Sequence, residues 1–319
     1  MRGSANGYQL GQSEEWVGEW MKSRSCRDDI VLATKYSTPW RQEPNAIKSN
    51  FVGNNQKSMK LSIEDSLKKL QTSYIDLFYV HWWDFTTTIP EVMHSLNDLV
   101  VAGKVLYLGI SDTPAWVVTK ANQYARDHGL RQFSVYQGMW SAAMRDFERD
   151  IIPMARDEGM ALCPYGVLNQ GRFQTQEGFR QREQNNPGRK FIPTSEHDKN
   201  VSLHPEKIAK KKGCGLLDIA LQYCMQKTPY VFPIVGGRKV EHIQGNIGSL
   251  SVRMEDEDIK EVEEGYHFDP GFPHTFLSGT MFKGRDEKPR GADGPEDVWL
   301  LNGMGPFDWH PRQQPVRPS

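Results

Sequence analysis

The feature that most constrains the fold is an alternation of strand-like and helix-like segments from the N-terminus to about residue 260. Short apolar runs typical of buried strands are each followed by a segment whose apolar residues recur at helical spacing. This alternation predicts an α/β fold, a parallel sheet covered by helices. The strand-like runs are Ile30–Tyr36, Ile75–Trp82, Val105–Ser111, Phe133–Gln137, Met160–Tyr165 and Val231–Val235.

Helical spacing marks eight segments, several of which begin at a proline, a residue tolerated in the first turn of a helix. They are Ser13–Met21, Ser58–Leu70, Pro90–Ala102, Pro114–His128, Phe147–Glu158, Pro205–Lys212, Leu216–Gln226 and Glu255–Glu264. The polar stretch 169–200 predicts a long loop, of the kind that often acts as a lid. After Gly265 the chain is rich in Gly, Pro and aromatic residues, and only 268–276 is expected to fold.

Composition excludes several classes of function. The 319 residues carry 39 Lys and Arg against 40 Asp and Glu, so no global field favours nucleic acid or anionic lipid. No run approaches the roughly 18 to 20 apolar residues of a membrane helix, and the start of the sequence lacks the apolar core of a signal peptide, so a cytoplasmic location is expected. Four scattered cysteines, without a Cys-x-x-Cys pair, fit reduced structural thiols.

Three residues in order along the chain predict carbonyl chemistry. Tyr8 precedes a helix, whereas Lys35 and His81 each end a strand-like run, so all three are expected at the C-terminal mouth of a parallel barrel. A phenol with an ordinary pKa of about 10 donates a proton poorly near pH 7 unless a neighbouring ammonium stabilises the phenolate. A histidine in the same pocket can orient a carbonyl oxygen, so the trio suits carbonyl reduction by a hydride-carrying cofactor.

Several segments in the same order resemble the aldo-keto reductases, and most closely their fungal aryl-alcohol dehydrogenase and norsolorinic-acid-reductase-like branch. The resemblance covers residues 3 to about 276. It is carried by Ala5-Asn-Gly-Tyr8 with Gly11-Gln-Ser-Glu14, Ala33-Thr-Lys35, Tyr79-Val-His-Trp-Trp-Asp84, Gly103 to Asp112, Val135-Tyr-Gln137 and Pro233-Ile-Val-Gly-Gly-Arg-Lys239.

The resemblance implies catalytic roles for the same trio. Tyr8 matches the proton donor, Lys35 the residue that lowers its pKa, and His81 the residue that orients the substrate. The family pattern has an aspartate five residues before the tyrosine, where this chain has Gly3. That aspartate normally pairs with the lysine and orients it. The chain therefore departs from the pattern at one of its four catalytic positions.

The implied fold is a TIM (β/α)8 barrel of aldo-keto reductase type that lacks its first strand, first helix and most of the second strand. Six strand-like runs are too few for a closed eight-stranded barrel, and the shortage lies at the N-terminus. Residues 1–265 are expected to form the incomplete barrel, and 266–319 a C-terminal tail that lies partly over its mouth and is partly disordered. A shortened gene model, a degenerate paralogue and a decaying gene remain open as explanations.

The resemblance also implies residues for the nicotinamide half of NADP(H). Ser111, Asp112 and Gln137 match the positions that hydrogen-bond the nicotinamide carboxamide, although the usual residue at the second position is asparagine. Tyr165 matches the aromatic residue that stacks on the nicotinamide ring. This assignment places the cofactor along the ends of the strands.

The phosphate half of the cofactor is assigned in the same way. Gly166, Leu168 and Arg172 match the path of the pyrophosphate. Small residues that admit the backbone and cations that meet phosphate match the adenosine-phosphate site, at Gly236, Gly237, Arg238, Lys239 and Asn246. Two cations there favour NADPH over NADH.

Trp82 and Trp83 are candidates for the substrate pocket. Successive residues of a strand point to opposite sides, so at most one of them faces the mouth, where it could stack on an aromatic substrate. His81 and Asp84 suggest a metal box, but no second ligand follows at helical spacing, so no metal is expected. Asp76, inside a strand-like run, is interpreted as structural.

The sequence therefore predicts an NADPH-dependent reductase that converts an aldehyde or ketone, an aryl or secondary-metabolite carbonyl, to an alcohol in a fungal biosynthetic pathway. The alternative is a catalytically impaired or inactive cofactor-binding or interaction protein, because the aspartate at position 3 is missing. The expected partner is a small-molecule carbonyl, with no nucleic acid and no membrane. Substrate, physiological direction and oligomeric state stay open.

Overall fold

The computed structural model of the chain describes residues 1–41, 43–185, 193–284, 288–303, 305 and 307–319. The chain divides into two compact units. Unit 1 comprises Met1–Gln137 and Met154–Ala161, and unit 2 comprises Gly138–Pro153 and Leu162–Ser319.

The sheet of unit 1 confirms the parallel arrangement predicted from the sequence. Its strands pair in chain order, each parallel to the next, as β1 Arg2–Gly3, β2 Leu32–Tyr36, β3 Ile75–Val80, β4 Val105–Ser111 and β5 Phe133–Gln137. All five residues of β2 are buried, as in strands covered on both faces. The two-residue β1 has no apolar run and is not among the six strand-like runs of the sequence. The two strands after it, β2 and β3, are shorter than predicted, whereas β4 and β5 have the predicted bounds.

The helices follow the strands and mostly agree with the predicted segments. They are α1 Gln12–Arg24, α2 Gln56–Lys69, α3 Ile89–Val101, α4 Ala115–Asp127, α5 Ile151–Asp157, α6 Gln176–Asn185, α7 Glu196–Lys212, α8 Leu216–Lys227, α9 Val240–Gly248, α10 Asp256–Glu263, α11 His274–Leu277 and α12 Trp299–Asn302. Side-chain caps start two of those in unit 1. Asn55 accepts from Ser58 N ahead of α2, and Thr88 accepts from Glu91 N ahead of α3.

One face of the sheet in unit 1 carries a small apolar cluster of Ala33, Leu77 and Tyr79, with Val135 against it. Gly109 on β4 is required there, because a Cβ at this position would lie 2.5 Å from the ring of Tyr79. Lys35 follows Ala33 by two residues on β2 and therefore shares this face. Lys35 therefore lies on the same face of the sheet as the apolar cluster.

The long polar loop predicted for residues 169–200 is partly wrong. Helix α6 occupies ten of its residues, and α7 begins at Glu196. Residues 186–192 of the predicted loop lie outside the described part of the chain. A capping box starts α7, since Ser195 accepts from Asp198 N while the Asp198 carboxylate accepts from Ser195 N.

Pro205 lies inside α7 and does not begin it, which corrects the predicted helix start. A proline favours the first turn only when no stronger signal lies upstream, and here the capping box sets the start nine residues earlier.

The last two predicted strands are much shorter than expected. Strand β6 spans only Ala161–Leu162. Within unit 2, Leu162 forms a single parallel bridge to Val231, and the amide of Phe232 donates to Leu162 O over 2.8 Å. Pro164 and Pro233 lie close by in the sequence, and a proline has no N–H to donate to a ladder, which limits further pairing.

The tail of unit 2 makes ion pairs beyond the segment that is expected to fold. The Arg312 guanidinium contacts the carboxylates of Asp293 and Asp297 over 2.6 and 2.5 Å. Further along, Arg317 pairs with Asp256 at the start of α10 over 2.5 Å. These contacts hold the tail against its own unit.

Candidate active site

The phenol of Tyr8 projects from a tight turn that follows β1. The turn Tyr8–Gly11 has left-handed backbone at Gln9, Leu10 and Gly11, with φ of 46°, 57° and 98°. Two of these are not glycine, so the conformation stores strain of the kind common at functional sites. Tyr8 N donates to Ala5 O over 3.1 Å and fixes the turn to the end of the strand. Tyr8 is partly exposed, with 40% of its surface accessible.

Lys35 lies beneath Tyr8 and is 4% exposed. Its Nζ donates to the hydroxyl of Tyr8 over 3.4 Å and to the carbonyl of Ser4 over 3.0 Å. The same ammonium stands 5.0 Å from the centre of the Tyr8 ring. A buried ammonium at this distance stabilises a phenolate. The two residues that the sequence analysis expects to act together are thus in direct contact.

His81 completes the group immediately after β3. Its ring meets the Tyr8 ring edge to face, with centroids 5.7 Å apart and planes at 75°. Burial and the nearby charge of Lys35 lower the pKa of His81 to about 4. The imidazole is therefore neutral near pH 7, with one nitrogen that donates and one that accepts. A neutral histidine can donate a hydrogen bond to a carbonyl oxygen.

The pKa of Tyr8 lies above its ordinary value. Burial is the larger cause, and the negative charge of Asp112 adds to it. Both effects oppose the lowering that the sequence analysis expects from Lys35. Proton donation from Tyr8 therefore depends on how strongly the Lys35 ammonium stabilises the phenolate as it forms.

Gly3 occupies the position at which the family pattern has an aspartate. It pairs in register with Ala33, so a side chain at position 3 would lie on the face that carries Lys35. A Cβ built on Gly3 meets nothing within 4 Å. The Lys35 ammonium instead has the main-chain carbonyl of Ser4 as an acceptor.

The residues assigned to the nicotinamide stand at the ends of β4 and β5. Ser111 pairs in register with Gln137, and Asp112 N donates to Gln137 O over 3.1 Å. Asp112 has a left-handed φ of 42°. The Oγ of Ser111 is buried, and within the described residues it has no hydrogen-bond partner. A buried hydroxyl without a partner fits a site in which a polar group of a ligand, such as a carboxamide, accepts or donates the missing hydrogen bond.

Tyr165 and the residues assigned to the pyrophosphate belong to unit 2. Tyr165 is half-buried and forms a parallel bridge with Met139. Gly166 follows in a left-handed conformation, with a φ of 73°, and the chain turns there ahead of Leu168. Arg172 is buried, and its Nε contacts Asp198 over 3.3 Å. The arginine thus ties this loop to the cap of α7, and it would have to exchange or share that contact to meet a phosphate.

The residues assigned to the adenosine phosphate lie at the start of α9. Gly236, Gly237, Arg238 and Lys239 are all exposed, and Lys239 is the N-cap of the helix. The N-terminus of a helix attracts anions, and two cations beside it strengthen the attraction. The Nδ2 of Asn246 is buried and has no partner among the described residues. These features fit a phosphate-bearing adenosine.

The two tryptophans after His81 have different surroundings. Trp83 is buried, whereas Trp82 is half-buried. The indole N–H of Trp82 donates to the hydroxyl of Thr38 over 3.1 Å. Of the two residues assigned to the substrate pocket, Trp82 is thus the one with an exposed part of its ring.

Asp84 is a structural residue in the described chain. Its carboxylate accepts from the amides of Asn54, Thr86 and Thr87 over 2.7 to 2.9 Å. Asp76 likewise pairs with Arg27 over 2.7 Å. In the part of the chain that the structure describes, no three His, Cys, Asp or Glu side chains form a group that would hold a metal. No described helix is long and apolar enough to cross a membrane.

Sequence reasoning misses Ser4 and Thr38. Ser4 acts through its main-chain carbonyl, which carries no sequence signal. Thr38 reaches His81 because Ser37 adopts a left-handed φ of 96°, which is unusual for a residue with a side chain. Only the Thr-Pro pair at 38 and 39 hints at a turn here.

Comparison with known proteins agrees with this geometry. Residues 3–266 match the model of the Aldo/keto reductase family. The chain is 64% identical over 317 residues to norsolorinic acid reductase B of Dothistroma septosporum, covering 99% of this chain and 80% of that protein. It is 61% identical over 319 residues to norsolorinic acid reductase B of Aspergillus parasiticus, covering 99% and 83%.

A third relative bears a different name. The chain is 44% identical over 327 residues to an aryl-alcohol dehydrogenase [NADP(+)] of Phanerodontia chrysosporium, covering 99% of this chain and 81% of that protein. The family match covers well over half of the chain, and the relatives align along nearly all of it. The chain belongs to the aldo/keto reductase family and is an oxidoreductase related to fungal norsolorinic acid reductases and aryl-alcohol dehydrogenases.

Proposed function

We propose that this protein reduces an aldehyde or ketone to an alcohol with NADPH, and that Tyr8 donates the proton. The observation that carries the proposal is the contact of three side chains in unit 1. The phenol of Tyr8 receives a hydrogen bond from Lys35 and lies edge to face with His81. A proton donor, a cation that stabilises its conjugate base and a neutral donor for the carbonyl oxygen are what this chemistry needs.

Each of the three residues has a separate task. His81 orients the carbonyl oxygen by donating a hydrogen bond to it. Tyr8 transfers its proton to that oxygen as the carbon is reduced, and Lys35 stabilises the phenolate that remains. The cofactor supplies the hydride when bound. In this scheme the substrate approaches the partly exposed Tyr8, while the hydrogen bond from the buried Lys35 keeps the ammonium next to the phenol.

NADPH is proposed as the cofactor on two observations within the chain. Ser111 Oγ is buried without a partner among the described residues, and Asn246 Nδ2 is in the same state. Arg238 and Lys239, at the start of α9, add two cations to the residues assigned to the adenosine phosphate. One relative is named for NADP(+), which supports the same cofactor.

The substrate proposed is an aryl carbonyl or a related secondary-metabolite carbonyl of a fungal pathway. The relatives' names refer to norsolorinic acid and to aryl alcohols. The half-buried Trp82 next to His81 offers an aromatic ring to such a substrate. The fuller expectations, a TIM barrel short of its first strands and a cytoplasmic location, stay predictions.

A second candidate is a protein that binds the cofactor but turns over slowly or not at all. The observation that favours it is Gly3 at the position of the expected aspartate. Lys35 donates instead to the carbonyl of Ser4, and a carbonyl is a weaker partner for an ammonium than a carboxylate.

Titration of the purified protein with NADPH separates these candidates. Wild type is expected to bind saturably, and Ser111→Ala to bind about ten-fold more weakly, because one hydrogen bond to the carboxamide is lost. Ser58→Ala is the matched control, since Ser58 Oγ is also buried and without a partner among the described residues. Binding followed by turnover of an aryl aldehyde supports the reductase. Binding without turnover supports the second candidate, and no binding contradicts both.

A further inference from the structure

The hydroxyl of Thr38 stands between two ring nitrogens. Trp82 Nε1 lies 3.1 Å from Thr38 Oγ1, and His81 Nδ1 lies 3.1 Å from the same oxygen. An indole N–H is only a donor, so the first contact occupies an acceptor site of the hydroxyl. The threonine still has one proton to donate. Within the described residues, the acceptor in reach of that proton is Nδ1 of His81.

A hydroxyl that accepts a hydrogen bond becomes a better donor, because the bonds in a chain polarise one another. The indole of Trp82 therefore favours donation from Thr38 to His81. If Nδ1 accepts, the single proton of a neutral imidazole must sit on Nε2. The low pKa of His81, about 4 through burial and the charge of Lys35, keeps the ring neutral and leaves this choice of tautomer open to Thr38.

We propose that Thr38 is a positioning residue that holds His81 as the Nε2–H tautomer, with the Trp82 indole setting the direction of the hydrogen-bond chain. The consequence for catalysis rests on the proposed function. Nε2–H is the form that donates to a carbonyl oxygen, whereas the other tautomer would present a lone pair to that oxygen and repel it. Thr38 thus decides whether His81 can orient a substrate.

The surrounding structure holds Thr38 in place. Ser37, buried with a φ of 96°, turns the chain so that Thr38 faces His81. Asn54 Nδ2 donates to Ser37 Oγ and to Trp82 O, each over 2.9 Å, and so joins the two loops. His81 N donates to Tyr36 O over 3.2 Å. Strained backbone supported by a buried amide is the arrangement expected where a side chain must be aimed.

The direct test is the nitrogen NMR spectrum of the full chain labelled at histidine, with His81 assigned by its loss in His81→Asn. In wild type near pH 7, Nε2 is expected to carry the proton and Nδ1 to be bare. Thr38→Val should shift the signals toward a mixture of tautomers, while Thr38→Ser should restore the wild-type pattern. Trp82→Phe should shift them part of the way.

Controls remove a hydroxyl and an indole elsewhere. Thr119→Val deletes a hydroxyl that donates to Ala115 O on α4, and Trp116→Phe changes an exposed indole, so both should leave the His81 signals unchanged. A proton on Nδ1 in wild type overturns the proposal, whether or not any variant folds. A Thr38→Val spectrum identical to wild type overturns it as well.

Kinetics distinguish failure of this inference from failure of the proposed function. Thr38→Val should lower kcat for carbonyl reduction by about ten-fold, with binding of NADPH unchanged and Thr38→Ser near wild type. If wild type reduces no carbonyl, the proposed function fails while the spectrum still decides the tautomer. If wild type is active and Thr38→Val retains full kcat, Thr38 does not position His81.

Discussion

Lys35 donates a hydrogen bond to the hydroxyl of Tyr8 over 3.4 Å, from a side chain that is 4% exposed to one that is 40% exposed. The contact joins the buried ammonium of Lys35 to the hydroxyl of a partly exposed tyrosine. Water has little access to the ammonium, whereas the tyrosine is partly exposed. This asymmetry lets a single lysine influence the proton affinity of Tyr8.

Lys35→Met should lower kcat about a hundred-fold, because the phenolate loses its counter-charge. The same variant should raise the pKa of His81, since the charge of Lys35 is the second cause, after burial, that lowers it. Steady-state rates and an NMR titration of His81 measure the two effects. Lys22→Met, at an exposed position of α1, is the control. An unchanged rate would remove Lys35 from the mechanism.

Gly3→Asp should increase kcat by about ten-fold, since it places a carboxylate on the face that carries Lys35. The new side chain meets open space at its Cβ, so the substitution should not cost stability by a steric clash.

Gly291→Asp is the matched control for this change. Gly291 is exposed and its Cβ also meets nothing within 4 Å, so the variant adds the same charge at a distant position of the sequence. If both variants leave kcat at the wild-type value, the aspartate at position 3 is dispensable in this chain. A gain that also appears in Gly291→Asp would mean that the effect is one of overall charge.

In the proposed function, kcat falls at high pH because Tyr8 loses the proton that it donates. Asp112→Asn should move this basic limb of the pH–kcat profile to lower pH. Burial is the main cause that raises the pKa of Tyr8, and the charge of Asp112 adds to it, so removing that charge lowers the pKa. Asparagine keeps the size of the side chain and can still bind a carboxamide. A basic limb that stays in place would show that Asp112 does not act on Tyr8.

The stability of the protein should fall as the pH is lowered from about 6.5 to about 4. The pKa of His81 is about 4 in the folded protein against an ordinary value of 6.5. The unfolded chain therefore binds the proton first, and the free energy of unfolding decreases by at most about 3 kcal/mol across this window. Denaturant unfolding of wild type and His81→Asn at several pH values measures the loss. An equal slope in both proteins would contradict the shifted pKa.

The bounds of β4 and β5 could be predicted from the sequence to the residue, because both are short runs rich in β-branched and aromatic residues. The same signal fails for Val231–Val235, where only Val231 forms a bridge. Prolines interrupt both partners there, and a periodic pattern does not report the loss of donors.

The trio proposed to be catalytic could be selected from the sequence because each member ends or precedes a regular element. Thr38 could not, because its position depends on the left-handed turn at Ser37, a conformation that the residue type disfavours. Ser4 escapes prediction for another reason, since its contribution is a main-chain carbonyl that any residue would supply. The sequence therefore does not predict the residues that contact the trio from outside it, Ser4 and Thr38.

The measurement that tests the central claim most directly is reduction of benzaldehyde by NADPH in wild type and in Tyr8→Phe. Phenylalanine keeps the ring that contacts His81 and removes the hydroxyl, which is the proposed proton donor and the acceptor of the hydrogen bond from Lys35. Wild type is predicted to turn over, and Tyr8→Phe to bind NADPH equally well while its kcat falls at least about a hundred-fold. A Tyr8→Phe variant that reduces benzaldehyde at the wild-type rate would contradict the assignment of Tyr8 as the proton donor.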